Sequence, residues 1–164
     1  MSTDSSSHPA ICLIPGAFHS SACFDSLRSH LQSLSHSSAA YTLPSIGSPS
    51  PLTADAIADG IFIRSRLEDL VETGSEVLLV AHSYAGIPGA AAARGLSRRE
   101  RQQVGKKGGV IGLAFISAVL TKVGESCIQK MGGEYPSYSV YNVRMDFIAA
   151  RHRDPVKPLE KGGI

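Results

Sequence analysis

Four short apolar runs, Ala10 to Ile14, Ala39 to Leu43, Val77 to Val80 and Val110 to Val119, narrow the folds open to this chain more than anything else in it. A continuous apolar run bounded by turn-forming residues reads as a strand buried on both faces, although Ala39 to Leu43 is a weak example. Helical patterns lie between the runs. Phe24, Leu27, Leu31 and Leu34 recur at three- and four-residue spacing, so the stretch from Ala22 to Leu34 is predicted to lay one apolar face on a sheet. Thr53 reads as the N-cap of a second helix carrying Ala56, Ile57, Ile61, Ile63, Leu67 and Leu70, which ends near Glu72 at a Thr-Gly-Ser stop. A helix rich in Ala and Gly follows the third run. Strand and helix therefore alternate, and the expected architecture is a three-layer α/β/α fold with a mostly parallel sheet.

Composition agrees and removes several classes. With 164 residues, 43% apolar residues and a formal net charge of +2, the chain fits one globular domain with material for a core. Arg94, Arg98, Arg99, Arg101, Lys106 and Lys107 cluster between two expected elements, but Glu100 interrupts them and no aromatic residue is interleaved. They read as a solvated helix end and loop, and no nucleic-acid partner is expected. Cys12, Cys23 and Cys127 are odd in number and lack C-x-x-C spacing, so neither a disulfide framework nor a zinc site is expected. Met1 to Pro9 is Ser-rich, reads as disordered, and lacks the apolar core of a signal peptide; no run approaches a membrane span. A cytoplasmic setting without a membrane partner is the expectation.

The third run continues as V-L-L-V-A-H-S-Y-A-G, residues 77–86. A buried strand that turns abruptly into a helix at a serine flanked by small residues has the pattern of a nucleophile elbow, which holds the hydroxyl above the sheet. Ala81 and Ala85 stand two residues either side of Ser83, and Gly86 follows where helix and strand approach closely. The plainer alternative is that Ser83 is an N-cap whose hydroxyl satisfies a helix amide.

Three segments taken together, I-C-L-I-P-G-A-F-H-S-S-A-C-F, L-V-A-H-S-Y-A-G and L-A-F-I-S-A-V-L, resemble the α/β-hydrolase superfamily, in particular the esterase-like branch of plant methylesterases and hydroxynitrile lyases. The resemblance runs from about Ile11 to Tyr141. It implies a serine hydrolase of α/β-hydrolase type acting on a small ester or similar acyl substrate, without cofactor or metal. Ser83 would be the nucleophile, and the amides of Tyr84 and of Ala17 or its neighbour Phe18 would form the oxyanion hole. Phe18 and His19 are candidate substrate contacts at the pocket mouth, although His19 could equally be a surface residue, and His82, pointing away from its neighbour Ser83, is expected to have a packing or loop-contact role rather than a catalytic one. Pro15 departs from the pattern where many members have His, and Ala81 and Ala85 replace the two glycines of G-x-S-x-G.

The acid and base of the triad are not evident. In this fold they follow separate later strands in the order Ser, acid, His, yet the only histidine after Ser83 is His152, preceded within that stretch by Asp146 alone. So short a spacing cannot contain the crossover of about a dozen residues or more between parallel strands. Asp154 follows the histidine and is out of order. The resemblance thus implies a chain that stops early: residues 1–9 a disordered terminus, 10–120 the N-terminal portion of a hydrolase core lacking its last strands, 121–152 lid entry with a short helix over Val143 to Arg151, and 153–164 a frayed tail. A catalytically impaired hydrolase is the leading expectation. The alternative is a non-catalytic binding or interaction module that keeps the pocket, or self-associates through an uncovered sheet edge. A dinucleotide-binding domain is disfavoured because P-G-A-F-H-S is not G-x-G-x-x-G.

Overall fold

The computed structural model describes residues 8–47, 54–134, 137, 139–142 and 147–150. Strand β1 spans Ala10–Ile14, helix α1 Asp25–Ser33 after a 3-10 turn at Ser21–Phe24, strand β2 Ser38–Ala40, and helix α2 Ala56–Glu72. Strand β3, Glu76–His82, runs through a 3-10 turn at Ser83–Ala85 into helix α3, Gly86–Ala92, and then come α4, Arg98–Gln103, and β4, Gly109–Ile116. A short helix α5, Cys127–Lys130, precedes two strands, β5 at Ser139–Asn142 and β6 at Phe147–Ala150.

The first four strands form one parallel sheet in the order β2-β1-β3-β4. From β1 the chain steps outward to β2, then crosses back to β3 and onward to β4. Because parallel crossovers are right-handed, that reversal puts α1 on one face of the sheet and α2 with α3 on the other. The expected three-layer arrangement follows. The core lies on the α2 and α3 side, where Cys12, Ile14, Val77, Leu79 and Ala81 of the sheet meet Ile63, Leu67, Val71 and Ala92 of the helices. Burial pushes the Cys12 thiol up to about 12, so it behaves as an inert core residue.

Several expectations need correction. No residue of α1 is buried, and Leu27 and Leu34 are 39% and 55% exposed, so its periodic apolar face covers the sheet only lightly. Helix α2 is capped by Asp55, whose carboxylate accepts from the amides of Ile57 and Ala58; Thr53 lies outside the described residues. An aspartate placed to take two orphan amides starts the helix two positions after the expected cap. Ile57 and Ile61 face outward, and the buried stripe of α2 is Asp59, Ile63, Leu67 and Val71. Strand β2 is three residues long, and β4 ends at Ile116 rather than Val119. Where a short helix was expected over Val143 to Arg151, Phe147–Ala150 instead pairs as a strand with β5 in an antiparallel hairpin. Phe147, Ile148, Ala149 and Ala150 form a continuous apolar run, which satisfies a short strand as readily as a helix turn. No helix among the described residues is long and apolar enough to cross a membrane.

Candidate active site

The sheet reverses its winding between β1 and β3, and in open α/β sheets the crevice beyond the strand ends at such a point is where ligands bind. The two loops that leave β1 and β3 there carry the residues singled out from the sequence. They touch. A Cβ placed on Gly16 would stand 2.7 Å from the Cβ of Ser83 and 3.1 Å from Nδ1 of His82. Only glycine permits this approach of the β1 loop to the end of β3.

Ser83 has φ 53°, in the left-handed region that L-residues avoid. Neither the 3-10 turn nor α3 has a side-chain cap, so the N-cap reading of Ser83 fails and its strained backbone does not arise from capping. Such a conformation costs about 1–3 kcal/mol and persists only where surrounding contacts enforce it. They are visible here. The Ser83 carbonyl accepts from the Val119 amide at 2.9 Å, and a Cβ on Gly86 would lie 2.6 Å from the Val119 carbonyl oxygen. Ala81 is buried beneath Gly89 of α3, with a Cβ on that glycine only 3.5 Å from the Ala81 Cβ. The small residues around the serine are thus the ones that let a strand, a helix and the loop after β4 converge.

The direction of the next amide follows. Every described peptide bond is trans, so the Tyr84 N–H points opposite to the Ser83 carbonyl of the same peptide unit. That carbonyl accepts from the Val119 amide in the loop after β4 and from the Gly86 amide of the turn itself, so the Tyr84 amide is turned away from both.

The β1 loop is itself a tight turn, closed by the His19 amide on the Gly16 carbonyl at 3.3 Å, with Phe18 at φ 69°. A positive φ at that place is the mark of a type II turn, which glycine or asparagine usually fills. Phe18 and His19 are exposed, and Ala17 is half-buried. His19 Nδ1 lies 2.9 Å from the Ala17 carbonyl oxygen, and its ring meets the His82 ring edge-on at 6.2 Å between centroids. His82 therefore sits against the loop.

The Tyr84 side chain has a partner of its own: its hydroxyl donates to Oδ2 of Asp59 at 2.9 Å. Burial, reinforced by the Asp59 carboxylate, pushes the phenol well above its ordinary range. Asp59 is fully buried and accepts two further bonds from Ser45, at 3.0 Å from its amide and 2.7 Å from its hydroxyl. The sequence reading missed Asp59. The available signal was a carboxylate at the head of a stripe of every fourth residue that is otherwise aliphatic.

Among the described residues no histidine is hydrogen-bonded to a carboxylate, and no group of three or more His, Cys, Asp and Glu could hold a metal ion. Asp146, His152 and Asp154 lie outside the described residues.

Residues 13–161 match the alpha/beta hydrolase family. A probable hydrolase of Phoma sp. is 35% identical over 127 residues, 77% of this chain and 49% of that protein. An alpha/beta hydrolase of Aspergillus novofumigatus is 36% identical over 118 residues, 72% of this chain and 46% of that protein. The chain spans about half the length of the curated relatives it matches. Among solved structures, tomato methylketone synthase I complexed with 2-tridecanone superposes with a TM-score of 0.58 at 13% identity, over 76% of this chain and 45% of that one. A likeness at that identity concerns the fold.

Proposed function

The chain belongs to the alpha/beta hydrolase family, and we propose that within it this segment carries the nucleophile and oxyanion hole of a serine hydrolase acting on a small carboxylic ester. The observation that carries the reading is Ser83 at φ 53° at the end of β3, pressed against Gly16 of the β1 loop. In this reading Ser83 Oγ attacks the ester carbonyl and gives up its proton to solvent water, and the carbonyl oxygen becomes an oxyanion. The Tyr84 amide and the Ala17 amide donate to it. Collapse expels the alcohol and leaves an acyl-serine, which water hydrolyses. Phe18 and His19, exposed on the turn, border the approach to the serine.

Activation of the serine needs a base oriented by an acid, and the described residues supply no such pair at Ser83. Without them the oxyanion hole and binding alone retain roughly 10³-fold catalysis over water in enzymes of this kind. Slow hydrolysis of p-nitrophenyl acetate by the chain, lost in Ser83→Ala, is the expected result. Equal rates for both proteins would remove the reading.

A second reading, an interaction module, rests on β4. Its outer edge carries a bridge from Val110 to Ser97 and otherwise pairs with no strand among the described residues, and Ile111, Leu113 and Phe115 of this strand are 43%, 39% and 39% exposed. An unpaired apolar edge is a template for another strand. Self-association through β4 is the form this reading takes.

A further inference from the structure

We infer that Asp59 is a positioning residue for the elbow, holding the Ser83–Tyr84 peptide in the orientation that the oxyanion hole requires; the inference rests on the proposed hydrolase reading. Asp59 is fully buried on the core-facing stripe of α2, whose other members are Ile63, Leu67 and Val71. A carboxylate there is retained only if its lone pairs are satisfied and the arrangement is worth keeping. Its satisfaction comes from two places. Ser45, in the turn after β2, gives its amide to Oδ1 and its hydroxyl to Oδ2, and Tyr84 gives its phenol to Oδ2.

Tyr84 is the residue after the nucleophile, and the Ser83–Tyr84 peptide is consequently held on two sides. The Val119 amide fixes the carbonyl of Ser83 at 2.9 Å. Asp59 fixes the far end of the Tyr84 side chain, with α2 crossing the elbow helix so closely that a Cβ on Gly60 would be 3.7 Å from the Pro88 carbonyl oxygen. Rotation of the peptide plane is opposed by the bonds to the Ser83 carbonyl, and displacing the Tyr84 Cα, and with it the amide, would pull the Tyr84 hydroxyl off a buried carboxylate. Breaking that bond leaves a buried acceptor short of a partner, so the left-handed Ser83 and its neighbouring amide are kept in place. The amide's proposed role accordingly depends on the tyrosine side chain, although that side chain touches no substrate.

Tyr84→Phe removes the hydroxyl and leaves both Ser45 bonds to Asp59. Phosphonylation of Ser83 by a fluorophosphonate, and kcat for p-nitrophenyl acetate, are expected to fall about tenfold in this variant while KM stays unchanged, a fraction of the loss seen on deleting an oxyanion donor. Asp59→Asn, which preserves shape, is expected to lower the same two rates, and the double variant to be no worse than the poorer single one. A folded Tyr84→Phe protein that labels and turns over at the parent rate, or that changes KM alone, overturns the positioning role while leaving the nucleophile reading intact. Absence of any Ser83 adduct in the parent chain overturns both.

Discussion

Gly16 of the β1 loop lies against Ser83 at the end of β3, with room for no Cβ: one built there would be 2.7 Å from the serine Cβ and 3.2 Å from the His82 carbonyl oxygen. Neither neighbour is the far end of a flexible side chain, so a methyl group at position 16 forces the two loops apart. Gly16→Ala is therefore expected to slow fluorophosphonate labelling of Ser83 roughly 10- to 100-fold, the effect of displacing reacting groups by about an ångström. An unchanged labelling rate in the variant would mean that the loops are not in contact in solution.

Gly86 makes the corresponding approach on the other flank. A Cβ there would meet the Val119 carbonyl oxygen at 2.6 Å and the Ala118 Cβ at 2.9 Å, while the Val119 amide is committed to Ser83. Gly86→Ala should destabilise the fold by about 1–3 kcal/mol, the usual cost of overpacking. Chemical denaturation of both proteins measures this directly, and equal midpoints would count against the close approach.

Acid should weaken the junction of α2 with the basic loop. Hydrogen bonds from Arg101, at 2.9 Å, and then Lys106, at 2.9 Å, hold the Glu72 carboxyl down at about 2 from an ordinary value of 4.5. A depressed carboxylate contributes stability above its unfolded pKa and loses it as pH falls toward the folded one. The thermal midpoint of the parent chain should consequently drop between pH 4.5 and 2, and Glu72→Gln should flatten that part of the profile. Parallel pH profiles for the two proteins would remove the assignment.

The β4 edge gives a prediction of its own. If the strand recruits another copy, light scattering after size exclusion should give a mass that rises with concentration, and Phe115→Lys, placing a charge on a 39% exposed edge residue, should return the chain to monomer. A concentration-independent monomer for the parent chain contradicts the interaction reading.

Much of this arrangement was legible in the sequence, for physical reasons that differ from residue to residue. Ala10–Ile14 is a strand with the boundaries expected, because Pro15-Gly16 ends a continuous apolar run. The sharp strand-to-helix turn at Ser83 was legible because so tight a turn demands small neighbours, and Ala81, Ala85 and Gly86 are all buried. Periodicity located α1 but overstated its burial: Leu27 and Leu34 have helical spacing and are nevertheless exposed. Thr53 and Asp55 both carry cap chemistry, and only the folded backbone shows which one has amides to accept. The hairpin strand at Phe147–Ala150 is too short for its pattern to separate from a helix turn. Asp59 showed in the sequence only as a carboxylate on an aliphatic stripe; its role did not, because its partners, Ser45 and Tyr84, come from distant segments that only the fold brings together.

The central claim is that Ser83 is the nucleophile. Prolonged incubation with excess fluorophosphonate, followed by peptide mass spectrometry, tests it most directly. The expected result is a single slow phosphonyl adduct on the peptide containing Ser83, abolished in Ser83→Ala; an adduct confined to another residue, or one that survives Ser83→Ala, would contradict the account.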